Sequence, residues 1–410
     1  MLCRAPGSSR CAGRRSADMK VLVLSVAFPS ASRPTYGVFV RERVRHVAAH
    51  MEVVVVAPVP WFPFNRLFRG DALTTTPLVE VQDGLTVYHP RVACLPAVGK
   101  TFDGVLYALS LIAFIARLRR SFAFDVIDAH FTYPDGLAAV LLGKLFRTPA
   151  VITIRGTHDI RNARSRLRRM QIRWALEAAA GVIAVSDSLR SFAEQLGIDG
   201  RRIRVIPNGI DTDRFLPGNR ADARARLGLP ADRTILLSVG AIGEGKGQHR
   251  VVEALTELVG CHAGLLYVVV GGDVHNDPGR RALDAVVRSA GLGGHVRLVG
   301  ARPHDEVPAW LAAADLFCLA TSSEGWCNSI TESLACGLPV VTTAVGGNPE
   351  IVRDGEDGFL VPFWDRAAFV QSVLQALNRK WDRRAIASHA RARGWERTAD
   401  AVTHALAGTS

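Results

Sequence analysis

Two carboxylates flank a short polar turn in the stretch TSSEGWCNSITESLACGLPVV, which runs from 321 to 341. Glu324 lies in the turn, and Glu332 lies in the helix-like stretch that follows and that ends at Gly337 and Pro339. A carboxylate offers paired acceptor oxygens, so Glu332 suits two hydrogen bonds from a ribose diol and Glu324 suits the hydroxyls of an attached sugar. We therefore predict that this stretch binds a sugar-bearing ligand.

The start of the predicted helix offers a site for an anion. Asn328 or Ser329 can cap the helix, and the free N–H groups and the dipole of a helix N-terminus attract negative charge. A diphosphate would fit there, with Glu332 in the first helical turn and pointing into the same space. Two other interpretations stay open, because Ser329 to Glu332 also matches a capping box and Glu324 can be an ordinary solvated loop acid.

The composition of the 410-residue chain indicates the kind of protein that carries this stretch. With 48% apolar and 21% charged residues, the chain can bury large cores and is too long for one ordinary domain. Its 50 basic and 38 acidic residues give a net charge of +12, which favours anionic partners. Residues 1–18 are basic and have no apolar core region, so we expect a disordered extension and no secretory signal.

Cysteine usage and hydropathy bear on the location of the protein. The seven cysteines show neither paired spacing nor C-x-x-C, which indicates reduced thiols, a cytosolic protein and no metal site. A spanning helix needs an uncharged apolar run of about 20 residues, and we find none in the sequence. We expect a cytoplasmic protein that is either soluble or peripheral on the inner face of the cell membrane.

Short apolar runs alternate with helical stretches along most of the chain, which is typical of buried parallel strands in an α/β fold. The first set of runs lies at 21–26, 53–58, 125–130, 150–156 and 182–186. The second set lies at 234–240, 265–272, 296–300, 316–320 and 339–343. The sequence predicts two Rossmann-like, doubly wound domains, with a turn-rich linker at 205–218 and a cleft between them. Ligands bind at the carboxyl ends of such strands, where the opening stretch lies.

The residues after this stretch carry a resemblance to a known family. They read TTAVGGNPE, in which Gly346 and Gly347 allow a close approach of the backbone to a ligand and Pro349 fits a first helical turn. On its own, this is equally a tight turn that binds nothing. Together, E-x7-E before A-C-G-L-P-V-V and then G-G-N-P-E resemble the donor site of family 4 retaining glycosyltransferases, which have the GT-B fold. Within this family, the chain is similar to the glycosyltransferases that build bacterial surface polysaccharides.

Other segments agree with the family in order and spacing, so the resemblance covers roughly residues 19 to 400. KVLVLSVAFPSASRPTYGVFV is similar to the first strand and glycine loop of the family, where Gly37 would meet the donor phosphates. His130, at the end of DVIDAH, matches a cleft histidine that touches the transferred sugar in several relatives. Without the resemblance, His130, Arg155 and His158 are equally structural residues that tie down loops.

The phosphate-binding stretch departs from the family pattern at one position. VGAIGEGKG stands where the family usually has V-G-R-L-x-x-x-K-G, so Lys246 is kept and Ala241 replaces the arginine. In this family the arginine and the lysine together neutralise the leaving diphosphate without a metal ion. The resemblance implies that Lys246, the helix terminus near Asn328 and another arginine carry this charge here.

The resemblance implies a retaining transfer from a nucleotide-sugar donor to a saccharide or lipid-linked acceptor, with no metal and no further cofactor. Glu324 and Glu332 would position the donor, and a donor phosphate oxygen would take the proton of the acceptor. The residues expected to act in catalysis are His130, Lys246 and Glu324. Those expected to bind the donor are Gly37, Lys246, Glu324, Gly325, Asn328, Ser329, Ile330, Glu332, Gly346 and Gly347.

The resemblance also assigns roles to the predicted domains. Residues 1–18 form the extension, 19–212 the acceptor-side domain and 213–375 the donor domain. Residues 376–410 form a helical segment that packs back toward the N-terminal domain. VIPNGIDTDRF, between the two domains, resembles the interdomain signature of the family.

The acceptor side carries less information. The stretch 161–173 has six arginines and no acid, and 104–122 reads as an apolar helix with a basic end. Together they would rest on an anionic membrane and present the cleft to a lipid-linked acceptor, or they form a solvated arginine face and a core helix. The stretch 58–68 is either an aromatic acceptor loop or an irregular connection.

Two other classes of protein stay open from the sequence. A GT-B nucleotide-sugar epimerase would need additional acid and base residues in the cleft. A noncatalytic sugar-binding or nucleic-acid-binding protein is the second, although no recognisable nucleic-acid module interleaves aromatic and basic residues here, so nucleic acid is not an expected partner.

Overall fold

The computed structural model describes residues 18–61, 75–95, 97–272 and 277–409. Most of the predicted N-terminal extension and most of the predicted aromatic loop at 58–68 lie outside these residues. The described residues form two α/β domains, each built on a twisted parallel sheet with helices on both faces. The two domains meet along a cleft.

Within the described residues, eight strands form the N-terminal sheet in the order β10-β9-β8-β7-β1-β2-β5-β4. All neighbours pair in parallel except β4 and β5. The strands are β1 Lys20–Leu24, β2 Glu52–Val56, β4 Val79–Gln82, β5 Leu85–Tyr88, β7 Val126–His130, β8 Ala150–Ile154, β9 Gly181–Ala184 and β10 Ile203–Val205. A separate pair is formed by β3 Val59–Trp61 and β6 Arg91–Ala93.

The C-terminal sheet is parallel throughout and has the order β13-β12-β11-β14-β15-β16. Its strands are β11 Thr234–Val239, β12 Leu265–Val270, β13 Val296–Gly300, β14 Leu316–Leu319, β15 Val340–Thr343 and β16 Gly358–Val361. The central strands β12, β14 and β15 are buried along their whole length, which is why they read as continuous apolar runs.

Helices cover both faces of each sheet. Those of the N-terminal domain are α1 Val38–Val47, α2 Asp103–Ser121, α3 Leu137–Phe146, α4 Thr157–Asn162, α5 Arg166–Ala178 and α6 Asp187–Gln195. Those of the rest of the chain are α7 Arg220–Leu227, α8 Gln248–Cys261, α9 Pro278–Ser289, α10 Val307–Ala313, α11 Asn328–Ala335, α12 Asn348–Ile351, α13 Arg366–Asn378, α14 Arg383–Arg391 and α15 Trp395–Ala407.

The predicted doubly wound architecture is confirmed, and each of the ten apolar runs contains a strand. The β4–β5 hairpin was not predicted, although its sequence carries a turn signal. Asp83 and Gly84 join the two strands with φ of 50° and 81°, the left-handed pair that a two-residue hairpin turn requires. The dipeptide D-G between alternating residues is the pattern that would have identified it.

The C-terminal segment is shared between the domains. We expected all of 376–410 to pack back toward the N-terminal domain, but α14 packs against α11 of the C-terminal domain. Only α15 lies on the N-terminal domain, against α1. The chain crosses beside the linker, where the N–H of Trp395 donates to the carbonyl of Ile210 at 3.2 Å. The linker and the start of α15 therefore form two adjacent connections between the domains.

The apolar helix predicted at 104–122 is α2, and the helical stretch Gly99–Ser121 is long and apolar enough to cross a membrane by length and composition alone. It packs against α3 and β6 of the N-terminal domain. Its outer face leaves Val105 and Leu109 exposed. Length and composition are therefore weak evidence for a membrane span here.

A buried acid between α2 and the N-terminal sheet gives a prediction for stability. Asp135 Oδ1 accepts hydrogen bonds from the Val26 N–H at 2.7 Å and from the Tyr107 hydroxyl at 3.0 Å. Burial raises the pKa of Asp135 to about 8. The carboxyl is then neutral in the folded protein at pH 7 and ionised in the unfolded chain, so stability falls as pH rises from about 4 to about 8.

We expect Asp135→Asn to lose less stability than the unsubstituted protein between pH 5 and pH 8.5. The pH slopes of the free energy of unfolding of the two proteins should differ by at most about 1.4 kcal/mol per pH unit, because a neutral amide has no proton to release. Urea unfolding at three pH values in this range measures it. Equal pH slopes for the two proteins would show that Asp135 is ionised in the folded state.

Candidate active site

The cleft between the domains holds a cavity of about 920 Å³. Loops at the carboxyl ends of several parallel strands line it, from β1 and β8 in one domain and from β11, β12, β13 and β14 in the other. The linker and Trp395 close one side. This is where a doubly wound fold places its ligands, so we take the cavity as the candidate active site.

Seven of the predicted site residues line this cavity. They are Gly37, Lys246, Glu324, Gly325, Asn328, Ser329 and Glu332. The other four, His130, Ile330, Gly346 and Gly347, are not among the residues that line it.

Glu324 and Lys246 form an ion pair inside the cavity. Lys246 Nζ lies 2.7 Å from Glu324 Oε1, which also accepts a hydrogen bond from the Thr321 hydroxyl at 3.0 Å. Burial disfavours the ammonium, but the attraction of the Glu324 carboxylate outweighs this and raises the pKa of Lys246. Glu324 is only 7% exposed, so it is not an ordinary solvated loop acid. Both bonds fall on Oε1, and Oε2 therefore has acceptor capacity left for a ligand hydroxyl.

Glu332 is held by a histidine from the neighbouring loop. His304 Nε2 lies 3.0 Å from Glu332 Oε1, and Arg214 NH1 lies 2.9 Å from His304 Nδ1. Because a guanidinium only donates, His304 accepts at Nδ1 and donates from Nε2 to Glu332. The capping-box interpretation of Glu332 is wrong, since α11 begins at Asn328 and Glu332 lies beyond its first turn.

The N-terminus of α11 faces the cavity. The N-cap is Cys327, which makes no side-chain capping bond, so the prediction that Asn328 or Ser329 caps the helix is wrong. Asn328 instead accepts a hydrogen bond at Oδ1 from Asn208 Nδ2 in the linker, at 3.0 Å. Cys327, Asn328 and Ser329 line the cavity together with Lys246, so this helix terminus is a suitable place for an anion.

Gly37 opens α1 in a left-handed conformation, with φ of 78°. A Cβ atom there would lie 2.3 Å from the carbonyl oxygen of Ala27. This position needs glycine because the loop after β1 folds against the start of α1. The contact places the backbone of Gly37 at the cavity wall.

His130 does not reach the cleft, contrary to our expectation. It is fully buried, and Arg155 from the neighbouring strand end lies over it, with Nε and NH2 at 3.1 Å and 2.6 Å from His130 Nδ1. Burial lowers the pKa of His130 to about 3, so the imidazole is neutral. Its Nε2 lies 3.4 Å from Asp128 Oδ2. In this structure Arg155, not His130, meets the cavity.

Ile330, Gly346 and Gly347, which we predicted to bind the donor, do not line the cavity either. The Ile330 side chain is fully buried in the domain core, and its N–H donates to the Cys327 carbonyl at 3.1 Å. A Cβ on Gly346 would lie 1.9 Å from the Glu324 carbonyl oxygen, and one on Gly347 would lie 2.3 Å from that of Gly325. The glycine pair therefore supports the turn that carries Glu324 from behind.

The sequence analysis missed several cavity residues. Arg302 and His304 follow β13, and the same strand-end rule that found Glu324 would have found them. Arg155 follows β8, and the sequence analysis left open whether it only ties down a loop and favoured His130 as the site residue. Asn208 belongs to the linker, and no local pattern indicates that its amide joins the two domains.

The domains touch beside the cavity through two glycines, which gives a prediction. A Cβ on Gly325 would lie 2.2 Å from the Arg155 carbonyl oxygen and 2.5 Å from the Gly156 Cα, both in the other domain. We expect Gly325→Ala to lower kcat/KM about 100-fold, because the two halves of the site would be held about 1 Å too far apart. Steady-state kinetics and the melting temperature measure this together.

Gly260→Ala in α8 is the matched control, because a Cβ there meets no atom within 4 Å. It should leave kinetics and melting temperature as they are. If Gly325→Ala also left kcat/KM unchanged, the close approach of the two glycines would have no part in turnover.

Comparison with known proteins agrees with this architecture. Residues 36–214 match the family described as Glycosyltransferase Family 4, and residues 219–393 match Glycosyl transferases group 1. A D-inositol 3-phosphate glycosyltransferase of Mycobacterium bovis (strain BCG / Pasteur 1173P2) is 30% identical over 361 residues, which cover 82% of this chain and 72% of that protein. A Bacillus subtilis (strain 168) glycosyltransferase named for teichuronic acid biosynthesis is 29% identical over 345 residues, covering 80% and 82%.

A solved structure shares the whole fold. It is that of Anabaena Alr3699/HepE in complex with UDP-glucose, with a TM-score of 0.70, 20% identity, and coverage of 95% of this chain and 100% of that one. The two facing Rossmann-like domains and the cavity between them are the architecture of a GT-B glycosyltransferase. The chain belongs to glycosyltransferase family 4, as the resemblance had indicated. None of the three proteins named here is an epimerase.

Proposed function

We propose that this glycosyltransferase moves a sugar from a UDP-sugar to a saccharide or lipid-linked acceptor, with retention of anomeric configuration and without a metal ion. One observation carries the proposal. The Lys246–Glu324 pair, Glu332 and the N-terminus of α11 all meet one interdomain cavity. Lys246 and the helix N-terminus suit the diphosphate of a nucleotide sugar, Glu324 suits its sugar, and Glu332 suits its ribose.

The chemistry follows from these positions. Breaking the bond between the anomeric carbon and the diphosphate builds negative charge on the leaving oxygens. Lys246 and the dipole of α11 lie where they would stabilise this charge, which is the task that a metal ion performs in other enzymes. Glu324 and Glu332 orient the sugar and the ribose. A phosphate oxygen of the donor takes the proton of the acceptor hydroxyl, which attacks on the side that the diphosphate leaves.

The donor base and the acceptor class are supported by the relatives. Alr3699/HepE, which shares the fold, is described in complex with UDP-glucose. The Bacillus subtilis relative is named for teichuronic acid biosynthesis. We therefore propose a UDP-sugar as the donor and a cell-surface polysaccharide or glycoconjugate precursor as the product.

We also propose that the N-terminal domain rests on an anionic membrane at the inner face of the cell membrane. Helix α5 exposes Leu167, Met170 and Trp174 at a spacing that places them on one helical face. Arginines surround this face, and Leu145 of α3 is exposed beside it, where Lys144 lies over the Trp174 ring. Apolar side chains within a basic rim suit insertion between acidic headgroups.

Vesicle flotation tests the membrane proposal. The protein should float with vesicles that contain about one third anionic lipid, and it should stay behind with neutral vesicles or at 1 M salt, where charges are screened within about 3 Å. The double substitution Leu167→Asp and Met170→Asp should abolish flotation and leave the melting temperature unchanged. Equal flotation of the variant would place the contact elsewhere.

Donor hydrolysis tests the proposed reaction without knowledge of the acceptor. The protein is incubated with a panel of UDP-sugars in EDTA, and proton NMR follows the anomer of the sugar that is first released. We expect an α-linked donor to release the α-sugar. First release of the β-sugar would mean inversion, and loss of turnover in EDTA would mean that a metal ion is needed.

A further inference from the structure

Arg155 is a buried cation whose side chain contacts only neutral partners. The residue is 6% exposed and lines the cavity at the end of β8. Its NH1 donates to Asn208 Oδ1 at 2.7 Å, and Nε and NH2 lie against His130 Nδ1. Within the described part of the chain, no carboxylate forms an ion pair with this guanidinium.

The acids nearby are engaged with other groups. Asp159 accepts from the N–H and hydroxyl of Thr132 at Oδ1 and from the N–H groups of Arg155 and Gly156 at Oδ2. Asp128 lies against Arg43 and His130. The Arg155 guanidinium therefore has Coulombic attraction from these acids but no direct counterion.

The charge on Arg155 is costly at this place. Burial, and then the positive charge of Arg43, push the pKa of Arg155 well below its ordinary value. A guanidinium nonetheless stays protonated in proteins. A buried cation with neutral partners is stabilised by any anion that comes within hydrogen-bond distance. Arg155 lines the cavity, so an anion that reaches it there would come from a ligand.

The contacts of Arg155 place it beside the predicted diphosphate position. Asn208, which accepts from Arg155, donates in turn to Asn328 Oδ1, the first residue of α11. The Arg155 carbonyl packs against Gly325, the residue after Glu324. Only the side chain of Asn208 therefore separates Arg155 from the N-terminus of α11. Arg155 also lies next to the loop that carries Glu324, the partner of Lys246. It approaches this point from the opposite domain.

We propose that Arg155 binds the diphosphate of the donor and supplies the second positive charge that Ala241 does not. This inference rests on the proposed function. Neutral His130 accepts from Arg155 and keeps the guanidinium turned toward Asn208, so His130 is a positioning residue and does not touch the sugar. The second cation of this site then comes from the N-terminal domain. The diphosphate-binding site is therefore complete only when the two domains are together.

Binding of UDP and of uridine separates this role from a structural one. We expect Arg155→Gln to raise the Kd of UDP by about 30-fold, the loss of a charge-assisted pair of hydrogen bonds. The Kd of uridine, which has no phosphate, should change less than twofold. Calorimetry measures UDP and ligand-observed NMR measures uridine, while the melting temperature shows that the variant is folded.

A second substitution in the same background provides a rescue. Ala241 lines the same cavity from the opposite domain. Adding Ala241→Arg to Arg155→Gln should recover at least tenfold of the lost UDP affinity, because the charge returns to the cavity by another route. A structural role of Arg155 gives no such rescue, since position 241 lies in the other domain, where its carbonyl accepts from Gln248 Nε2.

Three results would overturn the inference. In the first, the affinities of Arg155→Gln for UDP and for uridine fall together, which indicates damage to the fold of the cleft. UDP affinity can stay unchanged while turnover falls, which assigns Arg155 to an acidic group of the acceptor. The rescue can fail. If the unsubstituted protein binds no nucleoside diphosphate, the proposed function itself fails, and this result is distinct from a failure seen only in the variants.

Discussion

Replacing Lys246 with methionine is expected to lower kcat about 100- to 1000-fold. In the proposed reaction the Lys246 ammonium stabilises the leaving diphosphate, and loss of one such preorganised group has an effect of this size. Methionine keeps most of the apolar stem of the lysine and removes only the charge. Steady-state release of the nucleoside diphosphate measures kcat at saturating donor.

The control for this prediction addresses Glu324. With Lys246 gone, Glu324 loses its partner at 2.7 Å and stays largely buried, which should cost about 1–3 kcal/mol of stability. The double variant Lys246→Met with Glu324→Gln should regain stability and still be inactive. If the double variant regained activity, Lys246 would serve only to hold Glu324.

Replacing Glu332 with alanine is expected to raise the KM of the donor about 10- to 100-fold and to leave the protein folded. The carboxylate is oriented by His304 and lines the cavity beside the N-terminus of α11, where the ribose of a bound nucleotide would lie. Two hydrogen bonds from a ribose diol to an ionised oxygen pair account for a loss of this size. Donor titrations of initial rate measure KM and kcat separately.

A donor without the 2′-hydroxyl provides the matched test. With a 2′-deoxyribose donor, the unsubstituted protein should already have lost one of the two hydrogen bonds, so Glu332→Ala should cost less than with the ribose donor. This is a double-mutant cycle between protein and ligand. An equal cost with both donors would mean that Glu332 contacts another part of the ligand or acts only on the fold of α11.

The carboxylates and the lysine were predictable because they follow a local rule. Glu324 and Lys246 each lie in the loop after a buried parallel strand, and such strands are visible as apolar runs. The same runs predicted both sheets. Their common direction and the position of the cleft followed from the fold class, without knowledge of any long-range contact.

The sequence did not predict whether a side chain at a strand end is buried in the domain or lines the cavity. His130 is the last residue of β7, but every residue of this strand is buried and the side chain of Arg155, just after β8, covers it. The loop after β7 does reach the cavity, but with Phe131 and not with His130. The sequence gives no measure of this, and so it favoured His130 over Arg155.

Contacts between distant segments were also beyond the sequence. His304 orients Glu332, and Arg214 of the linker orients His304, through hydrogen bonds that join three separate loops. The capping-box pattern at Ser329 suggested a local partner for Glu332 instead. It failed because the helix begins at Asn328, two residues earlier than a Ser329 cap requires.

Thermal unfolding with a panel of UDP-, GDP- and ADP-sugars tests the central claim most directly, because a ligand that binds only the folded state raises its melting temperature. We predict a rise with the UDP-sugars, no rise with the other two classes, and loss of the rise in Glu332→Ala. No rise with any nucleotide sugar, for a protein that unfolds cooperatively, would contradict the account of this cleft as a donor site.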